Sequence, residues 1–125
     1  MASEKILIVD DDEDVLLIVQ TILDNAGYSA ILARNGREGV EKAISVNPDL
    51  ILLDVMMPGT NGIAVLEHLR ADPELSQTPV IVVSAFASPA DRQRAFEAGA
   101  TRFVKKPFDP EALRSLVEEL LPSRV

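Results

Sequence analysis

Five polar residues stand at the ends of apolar runs in this sequence, where they could carry out chemistry together. They are Asp10, Asp11, Asp54, Ser84 and Lys106. Clustered carboxylates repel one another, and a cation or a shifted pKa relieves that cost. Oxygen ligands with few protein donors suit Mg²⁺, which commonly bridges to phosphate. A hydroxyl and an ammonium would then complete a site for phosphoryl transfer to a carboxylate nucleophile.

The apolar runs are typical of strands in a parallel sheet. The run at 50–53 has four large apolar residues before Asp54, and Pro58 and Gly59 then break the chain, which predicts a strand buried on both faces. The five predicted strands span residues 5–9, 28–33, 50–53, 80–84 and 102–104. The polar residues would therefore lie at strand ends, where open α/β folds bind their ligands.

The segments between the runs have the three-and-four apolar spacing of a helix face. The predicted buried faces are Val15, Ile18, Val19, Ile22, Leu23 and Ala26, then Val40, Ala43 and Ile44, then Ile63, Val65, Leu66 and Leu69. A fourth helix is predicted to start at Ser88 and Pro89, and a fifth buries Leu113, Leu116, Val117 and Leu120. Alternating strands and helices predict a doubly wound, three-layer α/β fold with five parallel strands in the flavodoxin-like order 2-1-3-4-5 and five helices.

That strand order makes the ends of strands one, three, four and five neighbours at one edge of the sheet, so the five polar residues would face a common crevice. Each has another interpretation when taken singly. Asp54 could open a solvated loop, residues 10–14 could form a helix start that the helix dipole favours, and Ser84 could be a turn residue. Lys106 could be a surface charge, and either Lys105 or Lys106 could be the inward lysine. Joint placement at four strand ends favours a site.

Length and composition exclude several classes of protein. The 125 residues suit one domain over 1–125 with no second domain, and the absence of cysteine excludes disulfides and thiolate metal sites. The apolar run near the N-terminus is too short for a signal peptide or a membrane span. A cytoplasmic protein without membrane contact is therefore expected. A net charge of -8 without a basic patch argues against direct nucleic-acid binding.

Several short motifs follow one another in a fixed order. They are IVDD at 8–11, LDVMMP at 53–58 with Gly62 after it, VSA at 83–85, AGA at 98–100 and FVKKPF at 103–108. In this order they make the chain resemble, over essentially its full length, the receiver domain of two-component response regulators.

The resemblance implies a role for each residue of the site. Asp54 would accept a phosphoryl group from a phosphohistidine on a histidine kinase or histidine phosphotransfer protein. Mg²⁺ would be held by Asp10, Asp11, Asp54 and the backbone carbonyl of Met56. Lys106 would be the matching lysine, joined by a cis peptide bond to the proline that follows. The protein would be a signalling phosphoacceptor that catalyses only its own phosphorylation and dephosphorylation.

The resemblance also implies a switch. Ser84 would move toward the phosphoryl oxygens while Phe103 turns inward, and this would remodel the face formed by the fourth helix, fifth strand and fifth helix. A downstream protein target would read that face, and the protein would be a monomer or a phosphorylation-dependent dimer. Met56 and Phe86 would flank the path of the hydrolytic water. Because neither side chain can orient water, slow loss of the phosphoryl group is expected.

Alternatives remain from the sequence alone. A haloacid-dehalogenase-type phosphatase would explain acids after the first strand, but it needs a further acidic pair after the lysine and a cap domain. A flavodoxin-like flavin carrier needs a phosphate loop where this chain has the acids 10–14. A receiver fold that acts only as an interaction module, either alone or within a longer protein, is a third possibility. His68, Arg92 and Arg94 are interpreted as surface residues, although both arginines would lie on the face that partners contact.

Overall fold

The computed structural model of the protein describes residues 3–59, 61–85 and 88–121. Five strands alternate with five helices along the described chain. The strands are β1 (Lys5–Val9), β2 (Ser29–Ala33), β3 (Leu50–Asp54), β4 (Val80–Ser84) and β5 (Arg102–Lys105). The helices are α1 (Glu13–Asn25), α2 (Gly36–Val46), α3 (Gly62–Ala71), α4 (Pro89–Glu97) and α5 (Pro110–Leu120).

The five strands form one parallel sheet in the order β2-β1-β3-β4-β5. This confirms the predicted fold class and strand order. Every residue of β3 is buried, as the apolar run at 50–53 predicts for a central strand covered on both faces. The strand boundaries differ by one residue in places: β2 begins at Ser29, β3 includes Asp54, and β5 extends to Lys105.

Alternate residues of each strand point to opposite faces of the sheet and build two cores. One core joins Leu7, Val9, Ile51 and Leu53 to Ala43 of α2, Leu66 and Leu69 of α3 and Ala95 of α4. The other joins Ile6, Ile8, Leu50 and Leu52 to Leu16, Val19 and Leu23 of α1 and Leu113 and Val117 of α5. Helices therefore cover both faces, and the carboxyl ends of the strands remain open for a site. In the part of the chain that the structure describes, none of the helices is both long and apolar enough to span a membrane.

The predicted buried faces of α1 and α2 were partly wrong. Ile18 is 49% exposed, whereas Leu16, which the predicted face omits, is 1% exposed. On α2, Ile44 is 54% exposed beside the buried Ala43. Residues 15–19 are all apolar, so their spacing is compatible with more than one helix face, and packing against the sheet makes the choice.

Candidate functional site

Asp10 and Asp54 lie side by side at the carboxyl edge of the sheet. In the parallel register of β1 and β3, Val9 pairs with Leu53, so the residues that follow each of them reach the same edge. Both carboxylates are buried, with 3% of Asp10 and 4% of Asp54 exposed. Buried carboxylates need partners, and each uses one oxygen to accept a nearby backbone N–H. Asp10 Oδ1 accepts from the second residue after it at 2.9 Å, and Asp54 Oδ1 does the same at 2.8 Å.

Lys106 joins the two carboxylates. Its Nζ donates to Asp10 Oδ2 at 2.8 Å and to Asp54 Oδ2 at 3.0 Å. The Lys106 backbone N–H donates to the carbonyl of Ser84 at 2.8 Å, and the peptide bond to Pro107 is cis. Lys105 is exposed, so the second lysine of the pair is the inward one. The ammonium is shared by two buried acids, and this leaves excess negative charge at the edge of the sheet.

The pKa values of Asp10 and Lys106 reflect both burial and their contacts with one another. Burial raises the pKa of Asp10, and the neighbouring charge of Asp54 adds to the rise, although hydrogen bonds from Lys106 and a backbone N–H oppose it. Burial by itself lowers the pKa of Lys106. Hydrogen bonds to Asp10 and Asp54 and the attraction of their charges outweigh burial, so the pKa of Lys106 is raised. Lys106 therefore remains an ammonium, and the carboxylates still favour a further cation.

A third carboxylate completes a possible metal site. One carboxylate oxygen from each of Asp10, Asp11 and Asp54 lies within 4.8 Å of the others. The donor set contains only oxygen, and Asp11 is exposed, so water has access to the same place. These features fit Mg²⁺, which prefers oxygen and keeps several waters.

The loop after β3 returns closely on itself beside Asp54. A Cβ atom at Gly62 would lie 2.2 Å from Cα of Val55, so only glycine fits where α3 begins. The loop leaves the Met56 side chain 49% exposed near the acids. Phe86, which the sequence pairs with Met56 along the water path, lies outside the described residues.

Ser84 and Phe103 share a cleft at the other side of the site. Ser84 ends β4 and is 1% exposed, and Phe103 is partly buried on β5. A cleft of about 290 Å³ is lined by both of them and by Met56. The guanidinium carbon of Arg92 lies 5.1 Å from the centroid of the Phe103 ring. Sequence analysis did not foresee this contact, because no spacing rule relates a residue of α4 to one of β5.

Comparisons with known proteins agree with this arrangement. The family model described as "Response regulator receiver domain" matches residues 6–118. The transcriptional regulatory protein ResD of Bacillus subtilis is 40% identical over 117 residues, which cover 94% of this chain and 48% of ResD. The alkaline phosphatase synthesis transcriptional regulatory protein PhoP of the same organism is 36% identical over 119 residues, 95% of this chain and 49% of PhoP. The chain thus spans about half the length of these relatives.

Solved structures give the same result. The chemotaxis protein CheY4 of Vibrio cholerae has a TM-score of 0.90 and 33% identity, covering 95% of this chain and 99% of that protein chain. A CheY-like receiver domain from Methanospirillum hungatei JF-1 has a TM-score of 0.91 and 30% identity, with 97% and 95% covered. Both similarities extend over nearly the whole of this chain.

Proposed function

Because this chain belongs to the response regulator receiver domain family of two-component signal transduction, we propose that Asp54 accepts a phosphoryl group from a phosphohistidine donor. The observation that carries the proposal is the Lys106 ammonium, which lies within hydrogen-bond distance of both Asp10 and Asp54. A buried carboxylate beside a fixed cation and two further acids has the parts that phosphoryl transfer requires.

In the proposed reaction a carboxylate oxygen of Asp54 forms a bond to phosphorus, and the bond from phosphorus to the donor imidazole nitrogen breaks. Asp10, Asp11, Asp54 and the backbone carbonyl of Met56 would hold Mg²⁺. When bound, the metal supplies positive charge that neutralises the phosphoryl oxygens. Lys106 donates its hydrogen bond to a phosphoryl oxygen in place of Asp54. The protein thereby promotes its own phosphorylation and later its own dephosphorylation.

The phosphoryl group would then act as a switch. The Ser84 hydroxyl would donate to a phosphoryl oxygen, and Phe103 would occupy the cleft that the two residues share. These contacts exist only in the active arrangement, so phosphorylation would shift the population toward it. The face formed by α4, β5 and α5 would change shape, and a downstream protein target would bind it.

The partners follow from the same proposal. The phosphodonor is a histidine kinase or a histidine phosphotransfer protein, and the chain works in the cytoplasm as a monomer or a phosphorylation-dependent dimer. Its net charge of -8 opposes direct nucleic-acid binding by these residues. The relatives ResD and PhoP carry the printed name of transcriptional regulators, and residues outside this match make up about half of each.

The geometry supports the alternative functions less well. A haloacid-dehalogenase-type phosphatase needs another acidic pair at a strand end after the lysine. In the described chain α5 follows instead, and Asp109 is used as its N-cap. A flavin phosphate at the end of β1 would meet Asp10 and Asp11, which would repel it. A pure interaction module would have no need of the paired acids and lysine.

Phosphorylation with a small donor tests the assignment of Asp54. Wild-type protein incubated with acetyl phosphate and Mg²⁺ is expected to gain the mass of one phosphoryl group, and Asp54→Asn is expected to gain none. Asp24→Asn removes an exposed carboxylate on α1 and should behave like wild type. Omitting Mg²⁺ should prevent the gain. A wild-type protein that stays unmodified, or an Asp54→Asn protein that gains the same mass, would reject the assignment.

A further inference from the structure

The contact between Arg92 and Phe103 joins α4 to β5 on the face that is proposed to switch. A guanidinium 5.1 Å from a ring centroid is within the range of a cation–π interaction. Within the described part of the chain Arg92 forms no ion pair, whereas Arg94 lies 4.0 Å from Asp91. The aromatic ring is therefore the partner that the structure shows for the Arg92 charge.

The Arg92 contact is one of the contacts that join α4 to the sheet. Ala95 is the buried residue of α4, so the helix contributes little apolar surface to the core. The opposite end of α4 is tied down separately, where Arg70 Nε donates to the carbonyl of Gly99 at 3.0 Å. The Arg92 contact lies nearer the start of the helix, which is the end that follows the β4 strand and Ser84.

The Phe103 ring also has space into which it can move. The cleft of about 290 Å³ has Ser84 and Phe103 in its lining, together with Asp91 and Arg94 of α4. A ring that moved into this cleft toward Ser84, as the proposed switch requires, would leave its present position 5.1 Å from the guanidinium. The inward position and the Arg92 contact therefore compete for the same ring.

We propose that Arg92 is a latch that holds Phe103 outward in the unphosphorylated protein, so that activation must break the cation–π contact. This inference rests on the proposed function, because it concerns the switch that follows phosphorylation of Asp54. A ligand that selects the active state binds more weakly when the inactive state has an additional contact. Removing that contact is expected to strengthen binding about two- to fivefold, as for an exposed cation–π pair.

Titration with beryllium fluoride in the presence of Mg²⁺ measures this effect, with backbone amide NMR spectra recording the bound fraction. Arg92→Ala is expected to bind about two- to fivefold more tightly than wild type. Arg37→Ala removes the same charge from a side chain of α2 that is 88% exposed and does not line the cleft, so it should bind as wild type does. The proteins should be compared at a concentration at which sedimentation shows monomers in both states.

A double-mutant cycle with Phe103→Leu separates the latch from a general effect of charge. In the Phe103→Leu background, Arg92→Ala is expected to give no further gain. The free Arg92→Ala protein should also show amide shifts displaced toward those of the bound wild type. The latch is wrong if Arg92→Ala binds as Arg37→Ala does, or if the gain persists without the ring. A wild-type protein that does not respond at all would overturn the proposed function itself, and the latch with it.

Discussion

At the scale of single residues, the burial of two carboxylates beside one ammonium costs free energy, and a bound cation would offset that cost. Asp10 and Asp54 are both buried, and they share the ammonium of Lys106. Burial and the charge of Asp54 leave the pKa of Asp10 raised in the folded protein. A folded state that holds a proton more tightly than the unfolded chain loses stability when that proton is removed.

The pH dependence of stability in EDTA tests this cost. The contribution of Asp10 is fully present below about its unfolded pKa of 3.8 and is lost as the pH rises through the raised folded value. The free energy of unfolding of wild type relative to Asp10→Asn should therefore fall from acidic toward neutral pH in urea denaturation. Asp24→Asn, which removes an exposed carboxylate of α1, is the control variant. A difference that does not change with pH would contradict the argument.

Met56, two residues after Asp54, is expected to limit how water reaches the phosphoryl group. Met56 has an apolar side chain that is 49% exposed beside the acids, and it cannot orient an attacking water. We therefore expect phosphorylated wild type to lose its phosphoryl group slowly. Met56→Asn should shorten the half-life several-fold, while Met56→Leu should leave it nearly unchanged. Mass spectrometry after removal of the donor gives both half-lives, and a wild-type half-life of seconds would count against the prediction.

At the scale of the helices, α1 shows how the sheet selects one face of an apolar segment. Leu16, Val19 and Leu23 repeat with the period of a helix and pack in one core. Leu17, directly after Leu16, is 63% exposed. Two adjacent leucines therefore have opposite environments.

This pair offers a matched test of the α1 face. Leu16→Ala removes a side chain that is 1% exposed and should cost about 2–5 kcal/mol of unfolding free energy. Leu17→Ala should change it by no more than about 0.5 kcal/mol, as is usual at exposed positions. Urea denaturation measures both values. Equal losses in the two variants would contradict the orientation of α1.

At the scale of the whole molecule, an apolar surface lies beside the buried acids. A cleft of about 350 Å³ is lined by Val15 and Ile18 of α1 and by Pro107 and Phe108 after β5. Lys106 lines the same cleft, so this surface adjoins the site. In the proposed transfer the donor brings its imidazole close to Asp54, so the donor protein is expected to contact this surface.

Ile18→Ala tests the role of this surface. Transfer from a histidine kinase or phosphotransfer protein that phosphorylates wild type should slow several-fold, because apolar contact area is lost. Phosphorylation by acetyl phosphate should be unchanged, since that donor needs no protein surface. Ile44→Ala removes an equally exposed isoleucine from α2, 54% against 49%, and should transfer at the wild-type rate. Equal slowing in both variants would argue against docking at α1.

The sequence by itself determined the fold class and the members of the proposed site. Apolar runs of four residues at 6–9, 30–33, 50–53 and 80–83 specify the first four strands locally, and a parallel sheet necessarily brings the carboxyl ends of its strands to one edge. For this reason the positions of the acids 10, 11 and 54, of Ser84 and of Lys106 in the sequence are enough to group them.

Only the tertiary structure decided which of several chemically similar neighbours faces inward. Residues 15–19 are uniformly apolar, so packing against the sheet, and not spacing, buries Leu16 and exposes Ile18. By composition either lysine of 105–106 could pair with the acids. The resemblance to receiver domains favours Lys106, and the contacts of its Nζ with Asp10 and Asp54 are seen only in the structure. The contact of Arg92 with Phe103 likewise depends on how α4 lies on β5. These are long-range contacts, and local sequence patterns do not encode them.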